Sequence, residues 1–268
     1  MKKPETGAVL HRESTGAYLC RRLREDWQLY TLLIPAIIAV ILFHYVPMYG
    51  VQIAFKNFKV SKGIWGSPWV GLKYFERFVN LYNFWDIIRN TLSISVYSLV
   101  VGFPIPIMLA LVLNESRSLR YKKVVQTVSY APHCISTVVM CGMLILFLNK
   151  STGLLNNISA ALGAERCDLL NQPKYFSTIY VLSDVWQHAG WSSILYISAL
   201  SSVSTEVIEA AYIDGASRFR KVISIDLPSI MPTVIIMLIL RCGQLLSVGY
   251  EKVLLLQTDL NLDASEVI

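Results

Sequence analysis

Charge is scarce in this chain. Only 16% of its 268 residues are Asp, Glu, Lys or Arg, against 54% hydrophobic residues and a mean hydropathy of +0.49. A soluble domain carries about 25% charged residues, so the shortfall excludes an ordinary water-soluble globule. Motifs of catalysis are absent too. No Gly-x-x-x-x-Gly-Lys-Ser/Thr run is present to cradle nucleotide phosphates, and neither Gly-x-Ser-x-Gly nor His-Glu-x-x-His occurs. ATP hydrolysis by this chain itself is thereby excluded, and no catalytic residue is identified. The five cysteines (Cys20, Cys134, Cys141, Cys167 and Cys242) include no Cys-x-x-Cys pair, which argues against a disulfide framework or a zinc site. Internal repeats and low-complexity tracts are also missing.

What is present is apolar length. A spanning helix takes about 20 predominantly apolar residues. Five runs qualify, at about 29–49, 90–113, 124–148, 175–200 and 227–247. The expected fold class is therefore an all-α polytopic membrane protein. The net charge of +6 and the pI near 9.0 do not indicate nucleic acid, because the basic residues sit in short clusters flanking the apolar runs. Residues 1–26 are polar, carry Lys2, Lys3, Arg12, Arg21, Arg22 and Arg24, and lack the core and cleavage site of a signal peptide, so they are expected to be a cytoplasmic tail. The same side then receives Arg117, Arg120, Lys122 and Lys123, and later Arg218, Arg220 and Lys221. This places the N-terminus inside.

Lys56 to Asp86 mixes Gly63, Gly66, Pro68 and Gly71 with Trp65, Trp69 and Trp85, a composition that suits an external loop with short interfacial helices. The second span is interrupted by Gly102, Pro104 and Pro106, which predicts a kink. Residues 204–226 form a soluble hairpin between the fourth and fifth spans. Ser204 or Thr205 caps its first helix, with Glu206 favourably placed in the first turn. Gly215 can adopt positive φ and end that helix, and a second helix is expected over about 217–225. Asp226 is expected to cap the next helix, with Pro228 accepted in its first turn.

Glu209-Ala210-Ala211, then Asp214-Gly215-Ala216, Phe219 and the closing Asp226-Leu227-Pro228 resemble the EAA loop of binding-protein-dependent ABC importer permeases. Asn90-Thr91 at the start of the second span adds to the resemblance. The stretch from Trp27 through Ala54 to Phe58 and the run Gly249-Tyr250-Glu251 look like the carbohydrate branch, which handles oligosaccharides and multiple sugars. That resemblance implies the type I ABC importer permease fold over residues 27–268, in the bacterial inner membrane. It implies Glu209, Ala210, Ala211, Asp214 and Gly215 as docking positions for the ATPase, with Leu227 and Pro228 as the hairpin's exit into the bundle. The implied partners are a second permease subunit, a cytoplasmic ABC ATPase dimer that binds the ATP, an extracytoplasmic solute-binding protein, a sugar substrate and membrane lipid. No cofactor, metal or nucleic acid is implied for the chain itself. The family usually has a sixth span, so a C-terminal truncation is expected.

Ionisable residues within spans need a partner or a wet cavity. Asp184 and His188, four apart on one helix face, suit either a self-satisfied pair or a proton or metal relay. Arg241, about 20 Å along its helix from Pro228, either snorkels outward or faces a cavity. Trp186 and Trp191 either pack or stack on sugar rings. These five residues are the candidate substrate path. Besides a sugar importer, the residues leave open an ABC permease for amino acids, peptides or phosphate. An ion-coupled secondary transporter using Asp184 and His188 also stays open.

Overall fold

The computed structural model describes residues 26–268. Cys20 and the basic residues of the expected tail lie outside that range. The chain divides into two compact units, ending and beginning at Leu81 and Tyr82.

In the first unit, helix α1 (Trp27–Phe55) is long and apolar enough to cross a membrane. None of its residues is buried. An all-round apolar helix of this length, unburied within its own unit, calls for a lipid or protein environment on every face. The following segment is held by aromatic packing and backbone pairing. Lys56 and Trp69 form an antiparallel bridge, Phe55 stacks on Trp69 at 5.8 Å, and the Lys56 ammonium donates to the Ile64 carbonyl at 2.9 Å. Short helices at Gly63–Gly66 and Lys73–Val79 complete it.

The second unit is built around α2 (Phe84–Glu115), α3 (Leu119–Tyr130), α4 (Thr137–Leu148), α5 (Pro173–Ser201), α6 (Thr205–Ile213), α7 (Arg218–Cys242) and α8 (Tyr250–Leu256). Helix α5 is its spine. Towards one end, Phe176, Tyr180 and Val181 pack with Ile94 of α2, Cys141 of α4, and Val253 and Leu256 of α8. Towards the other, Tyr196 and Leu200 pack with Ala110 of α2 and Ile230 of α7. Lipid tails are as apolar as leucine, so helices in a membrane associate through close packing and polar contacts rather than water exclusion. Gly190 shows this directly. A Cβ there would overlap the Ser129 carbonyl and come within 2.9 Å of the Ser129 Cβ, so glycine is what lets α3 and α5 approach.

Three segments of π-helix lie within the described helices: Ile41–Tyr45, Ser98–Gly102 and Val222–Asp226. Each is centred four residues before a proline (Pro47, Pro104 and Pro228). A proline ring clashes with the carbonyl four residues back and offers no N–H to it, and one widened turn relieves both conflicts without ending the helix. The third case corrects the expectation for Asp226. It is no helix cap: its φ of −64° and ψ of −51° are those of a continuous helix, and α7 runs unbroken from Arg218 through Pro228 to Cys242.

The run expected as a span over 124–148 consists of two helices, α3 and α4, that meet at about 100°. Pro132 lies in the 3-10 turn Ala131–Cys134, Ile135 is extended, and Ser136 caps α4 by accepting the Val139 N–H. The break frees the Ile135 carbonyl, and the buried Gln187 of α5 donates to it at 2.8 Å. Irregular backbone at membrane depth requires such a partner. Beyond residue 247 the chain folds back onto α2. Asn90 donates to the Asp263 carbonyl at 2.7 Å, and the Ile268 N–H donates to the Thr91 hydroxyl at 3.0 Å.

Candidate functional site

The Glu-Ala-Ala segment is an exposed helix with a defined end on each side. Ser204 Oγ accepts the Glu206 N–H at 3.2 Å, which caps α6. At the other end the Gly215 N–H donates to the Tyr212 carbonyl at 3.1 Å and the Ala216 N–H to the Ala211 carbonyl at 2.9 Å. Gly215 has φ +78°. This is the Schellman arrangement, whose left-handed residue is cheap only for glycine. Ser217 Oγ then accepts the Arg220 N–H and opens α7. A helix, a one-glycine turn and a second helix result, with α5 and α6 bent by 74°.

No residue of α6 is buried. Glu209, Ala210, Asp214 and Gly215 are exposed and Ala211 is half-buried. Around them Val207, Tyr212, Ile213 (85% exposed), Phe219 (75%) and Ile223 leave apolar surface exposed. Such surface, together with the carboxylates of Glu209 and Asp214, suits a protein partner. Leu227, half-buried, and Pro228, exposed, lie further along α7 and not in the turn itself.

The polar residues of the spans meet elsewhere. A cavity of about 190 Å³ is lined by Ser95 and Ser98 of α2, Tyr180 and Asp184 of α5, Arg241 of α7 and the following Gln244, Ser247 and Gly249. His188 Nδ1 lies 3.3 Å from Asp184 Oδ1, so the two expected partners are joined. Lys252 is the participant that sequence reasoning missed. It is buried, with its ammonium 3.7 Å from Asp184 Oδ1, 2.9 Å from the Tyr180 carbonyl and 4.5 Å over the Tyr180 ring. The signal available was a lysine heading the apolar run Val253-Leu254-Leu255-Leu256, which needs a counter-charge. Asp184 is thus matched by two basic groups. Arg241 reaches the same cavity and makes no hydrogen bond or ion pair through its guanidinium among the described residues.

The two tryptophans point away from this cavity. Trp186 lines an apolar hollow with Met140, Met143, Leu144 and Phe147. Trp191 stacks on His133, with centroids 4.6 Å apart and planes at 8°, and His133 in turn meets His188 edge-on at 5.3 Å. Among the described residues no group of three His, Cys, Asp or Glu side chains is placed to hold a metal ion.

Residues 102–248 match the family model described as "Binding-protein-dependent transport system inner membrane component". The polygalacturonan/rhamnogalacturonan transport system permease protein YteP of Bacillus subtilis (strain 168) is 38% identical, over 98% of this chain and 82% of its own length. A chain in the crystal structure of a bacterial ABC transporter that imports the acidic polysaccharide alginate superposes with a TM-score of 0.84. It is 40% identical, over 93% of this chain and 84% of that one. The alginate ABC transporter in complex with an alginate pentasaccharide-bound periplasmic protein gives a TM-score of 0.83 at 39% identity, over 92% and 82% of the two chains.

Proposed function

Because this chain belongs to the family of inner-membrane components of binding-protein-dependent transport systems, we propose that it is the permease subunit that moves oligosaccharides, acidic ones among them, through an ATP-driven importer of the bacterial cell membrane. The chain is a multi-pass membrane transport subunit and not an enzyme. ATP is bound and hydrolysed by a separate pair of ATPase subunits. A second permease subunit completes the pathway, and an extracytoplasmic solute-binding protein delivers the sugar to the external loops, including 56–86. The N-terminus and the hairpin face the cytoplasm.

The observation that carries this reading is the hairpin: a capped helix with no buried residue, carrying Glu209, Ala210 and Ala211 and turned by Gly215 straight into the membrane helix α7. A partner that closes on α6 displaces a rigid lever, and alternating access follows from the motion of α5 and α7. The preference for acidic glycans rests on Arg241. Asp184 is already balanced by His188 and Lys252, so the guanidinium is left to meet a carboxylate in the cavity. YteP belongs to a polygalacturonan/rhamnogalacturonan system and the structural relative imports the acidic polysaccharide alginate.

The test is uptake by vesicles holding this chain with its partner permease, ATPase pair and binding protein. Labelled oligouronates and neutral oligosaccharides of equal length are supplied. ATP-dependent accumulation of oligosaccharide is expected, and Arg241→Gln should lower oligouronate uptake about tenfold while sparing the neutral sugar. Uptake that survives omission of the ATPase and collapses with the ion gradient would assign the chain to secondary transport.

A further inference from the structure

Lys221, at the base of the hairpin, is only 6% exposed, and Asp226 is completely buried. Lys221 pairs with Asp226 at 3.2 Å and with Glu115 at the end of α2, while the Asn114 amide lies 3.5 Å from the same Asp226 carboxylate. Residues 221 and 226 are five apart. On a regular helix that spacing separates side chains by about 140° around the axis and they would not meet. The π turn Val222–Asp226 removes most of that angle and brings both onto one face. Pro228 is the reason for the π turn, through its conflict with the Ser224 carbonyl. The Leu-Pro that closes the motif thus has a second consequence: it builds one half of a charged joint whose other half is on α2.

A buried ion network adds little to stability, since apolar packing of equal volume does as well. Its value here is geometric. We propose that Lys221 is a positioning residue of the transport cycle, clamping the end of α2 to the base of the hairpin so that displacement of the hairpin moves α2 and α7 together. Without the clamp the hairpin drives α7 alone, and the cavity walls contributed by Ser95 and Ser98 on α2 lag behind. This inference rests on the reading of the hairpin as the ATPase dock.

The experiment uses the complete transporter in proteoliposomes, with three readouts: ATPase subunits recovered with the permease, ATP hydrolysis stimulated by loaded binding protein, and oligosaccharide moved per ATP. Glu115→Gln keeps the Lys221–Asp226 pair and the Asn114 contact and removes only the charge from the Lys221 link to α2. Lys221→Met opens both. Each should retain the ATPase and its hydrolysis while oligosaccharide moved per ATP falls about tenfold. Lys221→Arg, which keeps the positive charge between both carboxylates, should retain most of it. Wild-type transport per ATP in Glu115→Gln overturns the proposal, whether or not Lys221→Met assembles. A complex that loses its ATPase in Glu115→Gln overturns it as well, because the joint would then be part of the dock. The docking reading fails separately, if Glu209→Lys and Gly215→Pro both retain the ATPase.

Discussion

Replacing Lys252 by methionine keeps most of the side-chain volume and removes one charge from the interior. Lys252 holds three things at once: the Asp184 carboxylate, the Tyr180 carbonyl and the face of the Tyr180 ring. A fully buried ion pair that loses one partner costs about 3–5 kcal/mol, because the other charge stays behind unpaired. Asp184 retains His188, and its side chain is 26% exposed towards a polar cavity, so the figure is discounted to about 2 kcal/mol. For a chain of this size that loss lowers a thermal midpoint by about 4–8 °C. The assay is the fraction of detergent-solubilised transporter that stays monodisperse after graded heating. Asp184→Asn in the same background removes the stranded charge and should recover at least half of the loss, a coupling that a double-mutant cycle reads directly. The reasoning is refuted if Lys252→Met melts with the wild type, or if the two substitutions add as though the residues were independent.

Two further outcomes follow from the packing of α5. Gly190→Val sets a branched side chain against the Ser129 backbone and should cost more than about 3 kcal/mol, seen as failure to recover folded transporter from membranes, whereas Gly142→Ala, with no neighbour within 4 Å of its Cβ, should be recovered normally. Gln187→Leu strands the Ile135 carbonyl at the α3–α4 break at a cost of about 1–3 kcal/mol, and Gln187→Glu at low pH, where the protonated acid can donate, should recover part of the melting temperature.

How much of this was legible depended on distance along the chain. The hairpin was readable because its determinants are local: Ser204 caps a helix nine residues long, and Gly215 ends it. The apolar runs were readable because membrane length is a property of composition. Pro228 is ambiguous in sequence because proline is both a helix starter and a helix breaker, and whether one widened turn absorbs it depends on packing that the local sequence does not display. Asp226 was accordingly expected as a cap, whereas its true partners, Glu115's companion Lys221 and the Asn114 amide, combine a turn of unusual width with a contact 112 residues away. The break at Pro132 was missed for a similar reason, since Gln187, which satisfies it, lies 52 residues from Ile135. Asp184 with His188 was visible at four residues' spacing, and Lys252 was not, because only the fold of α8 against α5 brings it there. Arg241 and Asp184 do share a cavity, while Trp186 and Trp191 face other surroundings.

We propose the helix Thr205–Ile213 as the place where an ATPase grips this chain. The most direct measurement places a photo-activated crosslinking residue at Ala210, exposed on that helix, and at Val60 in the segment after α1, in the assembled transporter. An adduct is expected between position 210 and the ATPase subunit, strengthening when ATP hydrolysis is trapped, with no ATPase adduct from position 60. Crosslinking of position 210 to lipid alone in every nucleotide state would contradict it, and would make the hairpin an interfacial helix.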